Sequence, residues 1–164
     1  MKTKKLTLMA ILAAIGVLGA QFIWFPTGAA RAFPVQHAVN VIAAVLLGPG
    51  PAVVVAFLIG LVRNMLGLGS LLAFPGGMIG ALFAGLFYRL FRRKGAAAIG
   101  EMIGTGVLGS LLSVPIANLL MGQKTGAFAF VPGFLASSIT GALLGWLIIR
   151  RVKTPKQNKH KSGS

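Results

Sequence analysis

Acidic side chains and cysteine are almost absent from this 164-residue sequence. Glu101 is its sole Asp or Glu, against sixteen Lys and Arg, and there is no cysteine. Glycosidase and aspartic-protease chemistry needs a pair of carboxylates, so both are excluded. The lack of cysteine excludes disulfides, thiolate nucleophiles and cysteine-ligated metals. With His37 and His160 as the two histidines, we expect no enzyme, no catalytic residue, no metal and no cofactor.

Charge is scarce as well. Charged residues make up 10% of the chain, whereas 56% of the residues are apolar and the mean hydropathy is +0.87. Soluble domains are about 25% charged and under half apolar, and disordered chains have low hydrophobicity. The composition therefore predicts an integral membrane protein. Its net charge of +15 does not indicate nucleic-acid binding, because the basic residues lie at the ends of apolar runs, where anionic lipid headgroups attract them.

Long apolar runs follow one another through most of the chain. Crossing a bilayer takes about 20 helical residues, but the region 38–62 is interrupted by Gly48-Pro49-Gly50-Pro51, a strong turn signal. We interpret this region as two short helices. The first run could also be a signal peptide, although its length and the later runs favour a membrane span. The prediction is an all-α protein with six spans at 6–25, 36–48, 51–66, 70–90, 95–121 and 128–149.

The distribution of basic residues predicts the orientation. Lys and Arg near membrane helices concentrate on the cytoplasmic side. Six spans with both termini in the cytoplasm place thirteen of them inside and three outside, whereas five spans would place five inside and eleven outside. Six spans are therefore favoured. The membrane domain then covers residues 1–153, and residues 154–164 form a basic cytoplasmic tail that we expect to be disordered.

Glu101 is the first candidate functional residue, because an ionisable group at membrane depth is costly and is a functional candidate by default. It lies a few residues into the fifth predicted span. A buried carboxylate must pair, accept hydrogen bonds or take up a proton. Two interpretations stay open. Glu101 either contacts a ligand or carries a coupling proton, or it forms a structural pair with Arg89, Arg92 or Arg93.

Other polar residues fall near the outer ends of the predicted spans. We expect them to form a small pocket open to the outside, with Arg63 beside it as an interfacial anchor. Helix capping and hydrogen bonds to the residue's own helix are the structural alternatives. Outer aromatic residues form either an interfacial belt or a stacking surface for a flat heterocycle; they include Phe22, Trp24, Phe25, Phe33, Phe74, Phe128 and Phe130. The candidate substrate-binding residues are Gln36, His37, Asn40, Asn64, Glu101, Thr105 and Asn118.

Three segments give the chain a resemblance to a known family. They are FPVQHAVNVIAAVLLGP (33–49), RNMLGLGSLLAFPGGMIGALFAGLFYR (63–89) and GEMIGTGVLGSLLSVPIANLLMG (100–122). With these segments the sequence resembles the ThiW family, within the substrate-binding S components of energy-coupling factor (ECF) vitamin transporters. The resemblance covers nearly the whole chain up to about Lys153.

The resemblance implies a six-helix S component in the bacterial plasma membrane, with both termini cytoplasmic. It implies uptake of the thiazole precursor of thiamine, hydroxyethylthiazole. The implied partners are a transmembrane T component and two cytoplasmic ATPase subunits. S components meet the T component through an AxxxA motif on the first helix, which Ala10 and Ala14 match here. The sequence has no G-x-x-x-x-G-K-[ST] phosphate loop, which agrees with ATP hydrolysis by partner subunits.

Other functions remain as alternatives. A self-contained proton-coupled transporter would use Glu101 as its proton carrier, and an inverted repeat would favour it; none is convincing in this sequence. A membrane scaffold would tolerate loss of the outer polar residues, whereas a binding subunit would lose ligand affinity. A membrane enzyme would have one carboxylate and one membrane histidine to work with, which is little for catalysis.

Overall fold

The computed structural model describes residues 2–27 and 31–152 as an almost entirely helical protein. The predicted tail at 154–164, with His160, lies outside these described residues. A two-stranded hairpin pairs β1 (Phe25–Pro26) with β2 (Arg31–Ala32) in antiparallel register. The six helices are α1 (Lys2–Phe22), α2 (Pro34–Leu47), α3 (Pro49–Met65), α4 (Ala73–Phe91), α5 (Lys94–Leu120) and α6 (Val131–Ile149).

Four helices in the described ranges, α1, α4, α5 and α6, are long and apolar enough to cross a membrane. Helices α2 and α3 are also apolar but shorter, at 14 and 17 residues. Apolar side chains such as Leu18, Leu90 and Leu119 are exposed on the outside of the bundle. Exposed leucines on so many helix faces are expected where lipid replaces water. The all-α integral membrane class predicted from composition is thus confirmed.

The break between α2 and α3 falls at the predicted Gly-Pro-Gly-Pro turn. Gly48 has φ +90, a value that suits glycine because it has no Cβ. Pro49 then starts α3, where its missing N–H costs nothing and its fixed φ suits a helix. The Gly48 N–H donates to Ala44 O at 3.1 Å and closes α2. The region 38–62 is therefore two helices.

Helix ends differ from the predicted spans where irregular segments intervene. α1 ends at Phe22 rather than at residue 25, because Phe25 already belongs to the β1–β2 hairpin. Turns at 70–72 and 127–130 precede α4 and α6, which begin three residues later than predicted. The hairpin is tied to α6 by the Phe33 N–H, which donates to Ser137 Oγ at 2.8 Å.

Small residues let the helices approach closely, as the glycine content predicts for lipid. A Cβ on Gly104 of α5 would lie 2.8 Å from Ile79 O of α4, and one on Gly145 of α6 would lie 2.7 Å from Ala38 O of α2. Within α5, residues Gly104–Gly109 form a π-helical segment. Such segments widen the helix locally and often occur at functional sites.

The bundle has two distinct ends. α2, α4 and α6 begin at the end that we call the cavity end, because their first turns line a cavity there. The opposite, basic end holds the Gly48 turn, the α4–α5 connection at Arg92 and Arg93, and the end of α6. Lys94 Nζ at the start of α5 donates to Ile149 O at the end of α6, at 3.0 Å, which joins these elements at the basic end.

Candidate functional site

A cavity of about 430 Å³ opens at the cavity end. Its size lies within the range of about 300–1,000 Å³ that is typical of small-molecule sites. Three aromatic rings and several polar side chains line it. Among the lining residues are Phe33, Phe130 and Phe134, together with Arg31, Gln36, His37, Arg63 and Ser137. Phe33 and Phe130 were among the predicted outer aromatics, whereas Phe134 was not.

Behind His37 lies a buried cluster centred on Glu101, whose side chain is fully enclosed. His37 Nδ1 is 2.7 Å from Glu101 Oε1, and Asn40 Nδ2 donates to the same oxygen at 3.2 Å. Thr105 Oγ1 lies 2.9 Å from Oε1 and 2.9 Å from Gly76 O, so its hydroxyl can donate to either one. Glu101 Oε2 has no hydrogen-bond partner among the described residues. Among the described residues, the recorded acid–base contact of Glu101 is with His37 and not with Arg89 or Arg93.

Sequence spacing explains how this cluster assembles. Glu101 and Thr105 are four residues apart and so share one face of α5. His37 and Asn40 are three apart and present a matching face on α2. Gly80 of α4 completes the arrangement, because a Cβ there would collide with Thr105 Oγ1 and lie 2.6 Å from both Glu101 oxygens. The space for the carboxylate therefore exists because position 80 has no side chain.

Arg63 is not the interfacial anchor that was expected from the sequence. Its side chain is buried, with 2% exposure. Nη1 donates to Gln36 Oε1, and Nη2 donates to Leu68 O at 3.2 Å. The guanidinium carbon lies 3.7 Å from the centre of the Phe33 ring, a cation–π geometry. An arginine at the end of an apolar run resembles an anchor in sequence, but the fold of α2 against α3 encloses this one in the cavity wall.

Two of the predicted binding residues are engaged elsewhere. Asn64 Nδ2 donates to Gly60 O at 2.8 Å and to Ser70 O at 3.1 Å, which ties α3 to the segment before α4. Asn118 is exposed, and its Oδ1 accepts from the Thr125 N–H at 2.9 Å. Neither asparagine is among the residues that line the cavity. The structure therefore brings Gln36 and His37 to the cavity, places Asn40, Glu101 and Thr105 behind it, and leaves these two in loop contacts.

The small-residue pair on α1 lies on its outer face. Ala10 and Ala14 are both exposed, whereas Leu12 and Val17 are buried against the bundle. α1 has the smallest buried share of the four long helices, at 17% of its most apolar stretch. The helix therefore leaves the face with Ala10 and Ala14 uncovered by the described part of the chain.

Comparison with known families gives a match over residues 6–155. The matching family is described as thiamine-precursor transporter protein (ThiW). The chain belongs to the ThiW family. The resemblance to the ThiW family seen in the three sequence segments is thus confirmed. Searches of curated proteins and of solved structures give no match.

ThiW membership assigns the chain to transport of a thiamine precursor, which implies a small-molecule substrate and a membrane location. The cavity of this ThiW protein fits such a role chemically. Flat rings such as Phe33 and Phe134 suit stacking against a heterocycle, and Gln36, His37 and Arg63 provide hydrogen-bonding groups at the wall. A few polar groups in an aromatic cavity are the usual means of orienting a small ligand.

Proposed function

We propose that this chain is the substrate-binding S component of an ECF-type importer, and that it takes up the thiazole precursor of thiamine, hydroxyethylthiazole. One observation carries the proposal: an aromatic and polar cavity of about 430 Å³ within a bundle that belongs to a thiamine-precursor transporter family. Gln36 and His37 would contact the ligand directly, while Asn40, Glu101 and Thr105 would hold His37 in position.

The proposed topology has six spans with both termini in the cytoplasm of a bacterial cell. The distribution of charge supports it, because Arg89, Arg92, Arg93 and Lys94 all lie at the basic end and basic residues favour the cytoplasmic side. The cavity end then faces outward, where a precursor must be captured. α2 and α3 are shorter than a bilayer is thick, and such helices are accommodated by local thinning of the bilayer or by packing against longer neighbours.

The proposed partners supply the energy. The sequence contains no glycine-rich phosphate loop, so uptake against a gradient would depend on a transmembrane T component and two cytoplasmic ATPase subunits. The exposed face of α1 that carries Ala10 and Ala14 supports a contact with the T component. Small residues on such a face let a second helix approach closely in the membrane.

Calorimetric titration of the detergent-purified chain with hydroxyethylthiazole tests the proposal, with thiamine and the pyrimidine precursor as controls. Saturable binding of the thiazole, and weak or no binding of the other two, is the expected result. If the chain binds the pyrimidine precursor and not the thiazole, the assignment of the substrate is wrong.

A second candidate function is proton-coupled transport by this chain alone, with Glu101 as the proton carrier. The buried contact between Glu101 and the cavity-lining His37 favours it, because a proton could pass between these two groups. Uptake by proteoliposomes that contain the purified chain separates the two functions. Accumulation driven by a proton gradient without any ATPase would favour this candidate, whereas accumulation that requires the partners and ATP would favour the S component.

A further inference from the structure

The cavity wall contains a buried cation, Arg63, that has no counter-ion among the described residues. Arg63 is 2% exposed and lines the cavity. Its two recorded hydrogen bonds go to neutral oxygens, those of the Gln36 side chain and the Leu68 backbone. Its Nε atom is enclosed and has no acceptor in the described part of the chain. The positive charge of Arg63 is therefore solvated by dipoles but not neutralised.

No side chain of this protein is free to neutralise it. Glu101 is the sole acidic side chain in the sequence. Its Oε1 is held by His37 and Asn40, and within residues 2–27 and 31–152 the recorded contact between an acidic and a basic side chain is that of Glu101 with His37. Arginine stays charged in proteins. Because an uncompensated buried charge is costly, the site is left with a deficit of negative charge that a ligand could supply.

Apart from Glu101 behind His37, the charged and dipolar groups at the cavity wall add positive potential around Arg63. Arg31 also lines the cavity, and no carboxylate does. The first turns of α2, α4 and α6 all contribute lining residues, among them Gln36, Gly76 and Gly133. The N-terminal end of a helix carries a partial positive charge. Three such ends around one cavity, in a membrane environment that weakens screening, favour an anionic group.

We infer that the ligand of this cavity is a thiazole whose side chain ends in an anionic group, a carboxylate or a phosphate ester, which lies against the Arg63 guanidinium. The inference rests on the proposed thiazole importer and replaces its neutral substrate, hydroxyethylthiazole, with an anionic thiazole. The heterocycle occupies the aromatic part of the cavity beside Phe130 and Phe134. The anion supplies the charge that Arg63 lacks, and guanidinium groups bind both kinds of anion in a bidentate geometry.

A matched series of ligands tests this inference on the wild-type chain. The series consists of hydroxyethylthiazole, the corresponding thiazole acetic acid and the phosphate ester of hydroxyethylthiazole, titrated under identical conditions. The heterocycle is the same in all three, and the terminal group changes from neutral to anionic. Charge-assisted hydrogen bonds contribute more than neutral ones, so at least one anionic member is expected to bind about 10- to 100-fold more tightly than the alcohol.

Two substitutions identify Arg63 as the source of this preference. Arg63→Gln is expected to abolish the preference for the anionic ligand, whereas Arg63→Lys keeps the charge and is expected to retain part of it. Lys124→Gln is the matched control, because Lys124 is a basic residue of the same end that does not line the cavity. This control should leave the preference unchanged. If Arg63→Gln does not fold, the ligand series on the wild type and on Arg63→Lys still decides the question.

The outcomes distinguish the inference from the function on which it rests. Tighter binding of either anion, lost in Arg63→Gln, supports the inference and a thiazole importer, with the anion in place of hydroxyethylthiazole as the substrate. Binding of the alcohol that equals or exceeds that of both anions overturns the inference and leaves the proposed thiazole function standing. Failure of all three ligands to bind overturns the proposed function, and the inference with it.

Discussion

The two ends of the helical bundle treat polar groups in opposite ways. At the cavity end, His37, Arg63 and Glu101 are buried. His37 and Glu101 are hydrogen-bonded to each other, and Arg63 donates to the Leu68 backbone carbonyl. At the basic end, Arg89 and Arg93 are exposed at helix termini. Exposed charges are satisfied by water and headgroups wherever their side chains lie, but buried ones need partners at fixed positions. Specific recognition is therefore expected at the cavity end.

Both ends contain a cavity of similar volume, which sharpens the comparison. The cavity at the basic end measures about 390 Å³ and is lined by the α2–α3 turn around Gly48, together with Tyr88, Arg89 and Arg92. Its charged residues are exposed, and Tyr88 is its one aromatic ring. The cavity at the other end has three phenylalanines and a buried arginine. Volume alone thus does not distinguish the two, whereas burial and chemistry do.

Removal of the buried acid should have the largest effect on stability. Glu101→Leu leaves His37, Asn40 and Thr105 without their shared acceptor, and each buried polar group left unsatisfied costs about 1–3 kcal/mol. Denaturant unfolding in detergent measures this change. Arg93→Gln at the basic end is the control and should change the free energy of unfolding by less than about 0.5 kcal/mol. Equal stability of the two variants would contradict the contrast between the ends.

A single methyl group at Gly80 should also destabilise the cavity end strongly. Gly80→Ala forces a Cβ against Thr105 Oγ1 and the Glu101 carboxylate, and overpacking of this kind costs about 1–3 kcal/mol. Gly95→Ala is the matched control at the basic end, because a Cβ there would meet Trp146 Nε1 at 3.6 Å, an ordinary van der Waals contact. In the first turn of α5 alanine should be neutral or stabilising by up to about 1 kcal/mol. If Gly95→Ala unfolds at a lower temperature than Gly80→Ala, this explanation of the cluster is wrong.

Loss of Gln36 should reduce ligand binding by a moderate amount. Gln36→Leu removes the acceptor of Arg63 Nη1 together with a polar group of the cavity wall. A lost hydrogen bond to a charged group corresponds to an affinity decrease of about 10- to 100-fold, which titration with the best ligand of the thiazole series measures. Asn118→Ala serves as the comparison, since Asn118 bonds Thr125 away from the cavity. The affinity of Asn118→Ala for the same ligand should stay within about twofold of that of the wild type.

The smallest expected effect is at the basic end. Lys94 Nζ donates to Ile149 O, the last carbonyl of α6, at 3.0 Å, and to Val152 O just beyond the helix at 2.6 Å. Lys94→Met should lower the free energy of unfolding by about 1 kcal/mol and leave ligand affinity unchanged. Arg89→Gln, which removes an exposed charge nearby, should change neither the free energy of unfolding nor the ligand affinity. A loss of ligand affinity in Lys94→Met would show that the two ends are coupled.

The positions of the helices could be predicted because they depend on the hydrophobicity and turn residues of short stretches of sequence. Apolar runs of membrane length identify α1, α4, α5 and α6, and the Gly48-Pro49 turn divides α2 from α3. The end of α1 was missed by three residues, because Phe25 pairs with Ala32 in a hairpin that hydrophobicity does not indicate. Local pattern therefore predicts where helices form more reliably than where they stop.

The site could be predicted only in part because its contacts are between distant segments. Scarcity of polar residues identified Gln36, His37 and Glu101 as candidates. It did not indicate that His37 pairs with Glu101, which is 64 positions away. Arg63 was misinterpreted for the same reason, since its burial depends on Gln36 and Phe33 of another segment. Asn118 has the residue type of a ligand-binding group, but its side-chain oxygen accepts a hydrogen bond from Thr125 in the following loop.

The position of a bound thiazole is the most direct test of the account. A crystal structure of the chain with a 2-bromo derivative of its best-binding thiazole would locate the bromine by anomalous scattering. We expect one bromine site in the cavity at the cavity end, among Phe33, Phe130 and Phe134 and within reach of Arg63. A bromine site in the basic-end cavity beside Tyr88, or on the outer face of α1, would contradict it.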